Sequence, residues 1–244
     1  PRLRHRLGVS THRFTVTVGA ADVVGVLHLP AARPAPCVVA CHGMGASKDS
    51  EKYLLIGQEL AAAGLAVARF DFRGSGESAG LHRDATIETR VADLEAVLDH
   101  LGKRPELDGR FGLLGSSLGG FVALWAASRG AAGAEAPVVT WNAPASLRDL
   151  PAVDPNEAGQ ALVAEVSRGG WATAPAGVAR LLVVQAGRDD VVPPAHGRAH
   201  FERAREPRRL HTIAEADHRL SEVSHRREAL EESRRWLLAH LAAR

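Results

Sequence analysis

The feature that most constrains this chain is the five-residue segment Gly-Ser-Ser-Leu-Gly at residues 115–119, which lies between two apolar runs. Residues 111–114 before it have the composition of a buried strand, and residues 120–127 after it have that of a buried helix. Glycines two positions before and two after Ser117 allow a backbone turn so sharp that the serine hydroxyl is held out above the strand end. Ser116 is one position away and would not be presented. An ordinary small-residue turn has the same composition, so this pattern alone does not separate the two interpretations.

The remainder of the chain alternates between strand and helix patterns. Residues 14–18 and 23–29 flank Gly-Ala-Ala-Asp and predict a β-hairpin. Short apolar runs, of the kind that parallel strands bury on both faces, follow at residues 37–41, 66–72, 111–114, 138–141, 181–185 and 210–213. Helical stripes occur at Tyr53, Ile56 and Leu60, at Ile87, Val91, Leu94, Leu98 and Leu101, and at Leu230, Leu237 and Leu241. This order predicts an α/β fold with a mostly parallel sheet, an antiparallel N-terminal hairpin and helices on both faces.

We expect a single domain over residues 1–244, because this length suits one well-buried α/β domain and is short for two. Residues 144–178 fit the alternation poorly, since they contain four prolines and only weak helical periodicity at residues 158–166. They are predicted to leave the sheet and to form a short helical lid above it.

Charge and hydropathy exclude two classes of partner. The net charge is +2 and the arginines are spread along the chain, whereas phosphate binding needs a concentrated basic face. No apolar run approaches the roughly 18 residues of a membrane span, and none follows the opening arginines as in a signal peptide. We therefore expect a cytoplasmic protein with no nucleic-acid or membrane partner, either a monomer or a homodimer. Because the sequence opens on Pro1, we expect it to be trimmed or incomplete, so a lost leader stays open.

The two cysteines predict neither a disulfide nor a metal site. Cys37 and Cys41 are four residues apart in one predicted strand, so they are separated by roughly 13 Å, about twice the reach of a disulfide. They are expected to be free, buried thiols. No set of cysteines and histidines has zinc spacing, and we predict no metal and no cofactor.

Three loops at other strand ends could complete a reaction centre around Ser117. The loop His-Gly-Met-Gly follows the first parallel strand, and the backbone N–H groups of Met44 and Leu118 are candidate donors to an oxyanion. Asp189 and Asp190 follow the strand at residues 181–185, where ligands and catalytic groups collect in parallel sheets. One of these carboxylates could orient a histidine, and the other could cap the next helix.

His218 is the candidate base among the 12 histidines, because it lies in a loop just after the last predicted strand. The histidines at positions 196, 200, 225 and 240 lie in polar helical stretches, where a solvated side chain is the more common outcome. Another motif, Gly-Ser-Gly-Glu-Ser-Ala at residues 74–79, matches a dinucleotide-binding fingerprint. The helical stripe after it starts only near Ile87, so a cofactor there is disfavoured.

Serine, aspartate and histidine occur in the chain order of α/β hydrolases. The sequence resembles the dienelactone-hydrolase and feruloyl-esterase-like branch of that superfamily. The motifs are His-Gly-Met-Gly-Ala-Ser-Lys at residues 42–48, Phe-Asp-Phe-Arg-Gly-Ser-Gly-Glu-Ser at 70–78, Leu-Gly-Ser-Ser-Leu-Gly-Gly at 114–120, Asp-Asp-Val-Val-Pro at 189–193 and Ala-Asp-His-Arg at 216–219. The resemblance implies an α/β-hydrolase fold, and it makes the segment at residues 70–78 a structural turn.

The same resemblance implies a catalytic triad in which Ser117 is the nucleophile, His218 the base and an aspartate the acid. Relatives usually place this acid four residues before the proline of the Val-Val-Pro tail, which selects Asp189. The glycine spacing before the pair departs from the common pattern, so Asp190 stays open as an alternative. The His-Gly-Met form also differs from the His-Gly-Gly-Gly of many lipases, and their preference for bulky alcohols is not carried over.

The expected function is hydrolysis of a small-molecule carboxylic ester, with a small acyl or an aryl or cinnamoyl-type group, through an acyl-enzyme. Trp141, Trp171 and Met44 are the apolar residues expected to line the substrate pocket, although Trp171 could instead pack the lid onto the body. Thioester, amide or carbon–carbon cleavage and acyl transfer use the same parts. A hydrolase fold that holds a ligand without turnover is the alternative from another class.

Overall fold

Strands and helices alternate along the chain, and the computed structural model describes them over residues 8–150 and 159–241. The opening residues 1–7 and residues 151–158 of the predicted lid lie outside the described residues. The strands are β1 (Ser10–Val18), β2 (Ala21–Leu29), β3 (Ala35–Cys41), β4 (Ala66–Phe70), β5 (Leu107–Ser116), β6 (Val138–Trp141), β7 (Leu181–Ala186) and β8 (Arg208–Ile213). The α-helices among the described residues are α1 (Glu51–Ala62), α2 (Ile87–Leu101), α3 (Leu118–Ser128), α4 (Gln160–Arg168), α5 (Ala195–Arg203) and α6 (Val223–Leu241).

The eight strands of the described residues belong to one sheet, in the order β1-β2-β4-β3-β5-β6-β7-β8. The first two strands form the predicted antiparallel hairpin, and β2 pairs antiparallel with β4. Every later pair is parallel. The predicted α/β fold is therefore confirmed, including its antiparallel N-terminal hairpin.

The strand order reverses at β3, which has β4 on one side and β5 on the other. In open parallel sheets, ligands bind in the crevice outside the carboxyl ends of the strands at such a reversal. The loop that begins at His42 follows β3, and Ser117 follows β5. The topology thus places the most distinctive segments of the sequence side by side.

Apolar side chains fill both faces of the sheet because alternate residues of a strand point to opposite sides. On one face, Val39 of β3 belongs to the same buried cluster as Phe121 of α3. On the other face, Val38 belongs to a cluster with Leu60 of α1 and Leu237 of α6. Each of these side chains is fully buried, which stabilises the fold by about 1.5–3 kcal/mol per residue. Cys37 and Cys41 also lie in this core as free, buried thiols, as predicted.

The segment between β6 and β7 packs on the ends of two helices. An isolated antiparallel bridge pairs Ser146 with Thr173, and the ring of Trp171 lies 4.6 Å from that of Trp125 on α3, centroid to centroid. From α4, the buried carboxylate of Glu165 accepts hydrogen bonds from the N–H groups of Ile87 and Glu88, at 2.6 and 3.1 Å. An anion is stabilised there by the unpaired N–H groups of the first turn of α2.

No helix among the described residues is long and apolar enough to cross a membrane.

Helix α3 approaches the end of β3 so closely that only glycine fits at Gly119. A Cβ atom added there would overlap the carbonyl oxygens of Cys41 and His42. These are backbone atoms, which cannot move aside as the end of a flexible side chain can. The contact fixes where the first turn of α3 lies relative to the loop after β3.

We predict that Gly119→Ala lowers the free energy of unfolding by about 3 kcal/mol, because the added methyl group must displace backbone. The matched control is Gly170→Ala, where a Cβ would meet nothing within 4 Å, and its effect should stay within about 0.5 kcal/mol. Urea unfolding followed by tryptophan fluorescence measures both. Equal midpoints for the two variants would contradict the close approach.

Candidate active site

Ser117 occupies a backbone conformation that few residues other than glycine adopt, with φ of 54° and ψ of −127°. Such a conformation costs on the order of 1–3 kcal/mol and persists only where the surroundings hold it. Here the N–H of Ser117 donates to the carbonyl of Trp141 at 2.8 Å, and its own carbonyl accepts from Gly120 at 2.9 Å. The side chain is half-buried, at the carboxyl end of β5.

The hydroxyl of Ser117 begins a chain of hydrogen bonds that includes the predicted base and acid. Its Oγ lies 3.1 Å from Nε2 of His218, and Nδ1 of the same ring lies 2.8 Å from Oδ2 of Asp189. Because a carboxylate can only accept, Nδ1 carries the proton and Nε2 is left as an acceptor for the serine hydroxyl. The sequence places these three residues up to 101 positions apart, and the structure brings them together.

Asp189 is held firmly in place and bonds to His218, whereas Asp190 is exposed. The second carboxylate oxygen of Asp189 accepts hydrogen bonds from the N–H groups of Val191 and Val192, at 3.0 and 2.7 Å. Asp189 is buried, with 5% of its surface exposed, whereas Asp190 is exposed to solvent. Of the two aspartates that the sequence leaves open, the geometry selects Asp189 as the partner of His218.

The two predicted oxyanion donors lie on segments that touch each other. Leu118 is the first residue of α3, so its N–H has no acceptor within the helix. Met44 follows Gly43, where an added Cβ would lie only 3.0 Å from the carbonyl oxygen of Ser116 and 3.1 Å from Cβ of Ser117. The loop after β3 therefore lies directly against the serine, and a side chain at Gly43 would have to push Ser116 or Ser117 aside by a few tenths of an ångström.

His42 anchors this loop rather than taking part as a base. Its Nε2 accepts from the N–H of Phe72 at 3.1 Å, so Nδ1 carries the proton and donates to the carbonyl of Gly43 at 2.8 Å. Burial lowers the pKa of His42 to about 4, which keeps the ring neutral near pH 7. Because the acceptor nitrogen of His42 is occupied by a backbone N–H, which does not give up its proton, the ring has no reacting hydroxyl within its reach to deprotonate.

The glycine-rich segment at residues 74–79 is a structural turn, as the resemblance implies. The buried carboxylate of Asp71 accepts from the N–H groups of Lys48 and Glu77, at 2.6 and 2.9 Å. The ammonium of Lys48 also pairs with Asp71, at 3.2 Å. Since Gly74, Ser75 and Ser78 donate their N–H groups to carbonyls of the same region, the segment has few donors left for a phosphate.

Asn142 is a structural part of the site that the sequence analysis missed. It is buried with φ of 52°, and its side chain donates to the carbonyl of His218 at 2.8 Å and accepts from the N–H of Ala186 at 2.7 Å. The side chain thus ties the end of β7 to the loop of the histidine. The one signal in the sequence is an asparagine directly after a strand, since asparagine tolerates positive φ better than most residues.

The structure corrects the prediction that Trp141 lines a substrate pocket. Its side chain is 1% exposed and packs in the core between the sheet and α6, where the indole N–H donates to Oγ of Ser233 at 2.9 Å. The prediction for Trp141 is therefore wrong, because its side chain leaves the strand on the face opposite α3. Trp171 is half-buried against Trp125, and Met44 is half-buried in the loop after β3.

A cavity of about 330 Å³ opens beside this loop. Its lining consists of small and polar residues, namely Gly45, Ala46, Ser47, Ser50, Gly74, Ser75, Gly76 and His82. Within residues 8–150 and 159–241, no group of three or more histidine, cysteine, aspartate or glutamate residues is placed to hold a metal ion.

We predict that Asn142→Gly lowers the free energy of unfolding by about 2 kcal/mol, because two buried backbone groups lose their partners. Asn142→Ala should cost about 1 kcal/mol more, since alanine also opposes the positive φ. In both variants, amide hydrogen exchange should accelerate in residues 216–220. Unchanged exchange there would show that Asn142 does not hold the histidine loop.

The chain matches a known family over more than half of its length. A family model described as serine aminopeptidase, S33, matches residues 32–166 of the 244. This range includes β3, the loop after it, β5 and Ser117. No match is found among curated protein sequences.

Solved structures share the fold over nearly the whole chain. Dienelactone hydrolase from Anabaena variabilis is 22% identical with a TM-score of 0.72, and the alignment covers 96% of this chain and 100% of that one. Est1E from Butyrivibrio proteoclasticus, in a structure with bound ferulic acid, is 18% identical with a TM-score of 0.76, and the coverage is 94% and 100%. Alpha/beta hydrolase domain-containing protein 10 from mouse is 16% identical with a TM-score of 0.77, and the coverage is 95% and 100%.

At these identities the structural neighbours establish the fold, and the family model establishes the family. The chain belongs to the serine aminopeptidase S33 family of the α/β-hydrolase superfamily and is a serine hydrolase of that fold.

Proposed function

We propose that the protein hydrolyses a carboxylic ester through an acyl-enzyme formed on Ser117. The observation that carries this proposal is the continuous chain of hydrogen bonds from Ser117 through His218 to Asp189, at 3.1 and 2.8 Å. A serine hydroxyl is a weak nucleophile at its ordinary pKa, and an adjacent base with an oriented ring is the usual means of activating it.

In the first half of the reaction, Oγ of Ser117 attacks the ester carbonyl carbon while Nε2 of His218 takes the hydroxyl proton. The carbonyl oxygen becomes an oxyanion, which the N–H groups of Met44 and Leu118 stabilise. When the tetrahedral intermediate collapses, the bond to the alcohol oxygen breaks, and His218 returns the proton to that oxygen. The alcohol leaves and the acyl group stays on Ser117.

In the second half, a water molecule repeats the attack on the acyl-enzyme. His218 takes a proton from the water, the same two N–H groups hold the oxyanion, and the proton returns to Oγ of Ser117. The carboxylic acid is released. Throughout, Asp189 keeps the proton of His218 on Nδ1 and stabilises the imidazolium, without being protonated itself. Each group in this scheme is a residue of the chain, so we propose a reaction without a cofactor.

For the substrate, we propose an ester with a small acyl group or an aryl or cinnamoyl-type group. The solved structures of dienelactone hydrolase and of Est1E with ferulic acid support this class through likeness of fold. We further propose that residues 144–178 act as a lid over the acyl group. Trp171, packed on Trp125 of α3, is the lid residue proposed to contact the substrate.

Peptide or amide cleavage is the second candidate, and the description of the matched family as serine aminopeptidase favours it. The same serine, base and oxyanion donors would serve, with His218 protonating an amine instead of an alcohol. Thioester cleavage and acyl transfer share these parts. A protein that only holds a ligand would retain the geometry without turnover.

The direct test is covalent labelling with a fluorophosphonate, together with hydrolysis of nitrophenyl esters of graded acyl length, methyl ferulate and amino-acid anilides. We expect stoichiometric labelling at Ser117 and faster turnover of the esters than of the anilides. Ser117→Ala should abolish labelling and hydrolysis. The matched control is Ser128→Ala at the far, exposed end of α3, which should behave as wild type.

An absence of labelling in folded wild-type protein would rule out an activated serine and support the ligand-holding alternative. If the protein is labelled but hydrolyses the anilides faster than the esters, amide cleavage replaces ester cleavage as the proposed activity.

We predict that Asp189→Asn lowers kcat by orders of magnitude, about 10⁴-fold, because the amide favours the wrong tautomer of His218. Asp190→Asn is the matched control and should change kcat by less than about threefold, since this residue is exposed and Nδ1 of His218 is bonded to Asp189 instead. Steady-state kinetics on the best ester of the panel measures both. The reverse pattern would assign the acid to Asp190.

A further inference from the structure

Two consecutive residues of α1 donate hydrogen bonds to the ends of the neighbouring strands β3 and β5. The ammonium of Lys52 donates to Oγ of Ser116, at the end of β5, at 3.0 Å. The hydroxyl of Tyr53 donates to the carbonyl of Cys41, at the end of β3, at 3.2 Å. The proposed mechanism uses neither of these side chains.

These two strand ends carry the two proposed oxyanion donors. Met44 lies three residues after Cys41, and Leu118 lies two residues after Ser116. Catalysis by such donors depends on their being placed before the reaction starts, because the benefit comes from not having to reorganise. A displacement of about 1 Å in either strand end would misplace its donor.

Ser116 is well suited to receive such a contact. It is 3% exposed and lies on the face of β5 towards α1, and its carbonyl oxygen is the atom nearest to a Cβ added at Gly43, at 3.0 Å. A shift of Ser116 therefore changes both the turn at Ser117 and its fit against the loop after β3.

We propose that Lys52 is a positioning residue, which holds Ser116 and thereby sets the distance between the N–H groups of Leu118 and Met44. This inference rests on the proposed acyl-enzyme mechanism. Tyr53 performs the corresponding task for the loop after β3. We call these two hydrogen bonds, from Lys52 to Ser116 and from Tyr53 to Cys41, the α1 clamp, because they hold the ends of β5 and β3 to the same helix.

The charge of Lys52 gives this role a measurable signature. Its surroundings contain Glu51 and Tyr53 on α1, Asp217 and Arg219 in the histidine loop, and Arg226 on α6, which pairs with Glu51 at 2.8 Å. Burial, followed by the charges of Arg226 and Arg219, lowers the pKa of Lys52 from 10.5 to about 8, and Asp217 opposes the shift. Burial raises the pKa of Tyr53, so the phenol stays neutral in this range.

Deprotonation of Lys52 removes the charge that strengthens its hydrogen bond to Ser116. A hydrogen bond from a charged donor is roughly twice as strong as one from a neutral donor. The α1 clamp is therefore expected to weaken as the pH rises through about 8. The free energy of unfolding follows the opposite trend, because the folded state releases this proton more readily than the unfolded chain. The contribution of Lys52 to stability rises from pH 8 towards 10.5.

The experiment compares wild type with Lys52→Arg and Lys52→Met between pH 6 and 10. The measurements are kcat and KM for 4-nitrophenyl acetate, the rate of fluorophosphonate labelling, and the thermal midpoint of unfolding. We expect kcat and labelling of wild type to fall above about pH 8 while the protein stays folded. Lys52→Met should lower kcat about tenfold to a hundredfold with little change in KM, and should lack the alkaline decline.

Lys52→Arg is the conservative rescue, because arginine stays protonated throughout this range. It should recover most of kcat and should shift the alkaline decline beyond pH 10. Lys103→Met, at an exposed lysine in the turn between α2 and β5, is the matched control and should reproduce the wild-type profile.

Two results would overturn the inference. One is a wild-type alkaline decline that persists unchanged in both Lys52 variants, and the other is an effect of Lys52→Met on the thermal midpoint alone. If Lys52→Met does not fold, the profile of Lys52→Arg decides the question. Failure of the proposed function has a different signature, since wild-type protein would then not label at any pH, and the inference would fall with it.

Discussion

The structure depends on the close contact of two pieces of backbone, the end of β3 and the turn between β5 and α3. Glycine at positions 43 and 119 allows this contact, since a side chain at either position would meet backbone atoms of the other piece. The sheet order brings the two pieces together, because β3 and β5 are neighbours where the order reverses. Both proposed oxyanion donors are backbone groups on these pieces. The chemistry of the site is therefore largely a consequence of how tightly the main chain packs.

Around this contact, charged and polar groups are used to hold loops rather than to stabilise the fold as isolated pairs. One carboxylate oxygen of Asp189 accepts hydrogen bonds from the N–H groups of Val191 and Val192, and the other accepts from His218. Asn142 holds the backbone of the same histidine from the end of β6. With its ring oriented by Asp189 and its backbone held by Asn142, His218 needs little reorientation before it takes a proton.

Most of the fold could be predicted from the sequence, because buried parallel strands give continuous apolar runs and because glycine at a sharp turn leaves few alternatives. The loops that carry Ser117, Asp189 and His218 could also be placed at one edge of the sheet. Trp141 was wrongly assigned because its face on the strand depends on the register with neighbouring strands, which one sequence does not show. Lys52 and Asn142 were missed for a related reason. Their contacts join residues that are 64 and 76 positions apart in the chain. Such contacts can be recognised only once the order of the strands in the sheet is known.

The hydrogen bonds that Glu165 accepts from the first turn of α2 have a consequence for how this fold can diversify. The insertion between β6 and β7 supplies acceptors for the N–H groups of Ile87 and Glu88, while Thr86 supplies the acceptor for Thr89, so part of the cap of α2 comes from outside the body of the sheet and its helices. Replacing this insertion with one that has no acceptor at this place would therefore leave the start of a core helix with unpaired N–H groups. An exchanged insertion therefore has to bring its own acceptor for α2, whereas point changes that spare Glu165 leave this cap in place.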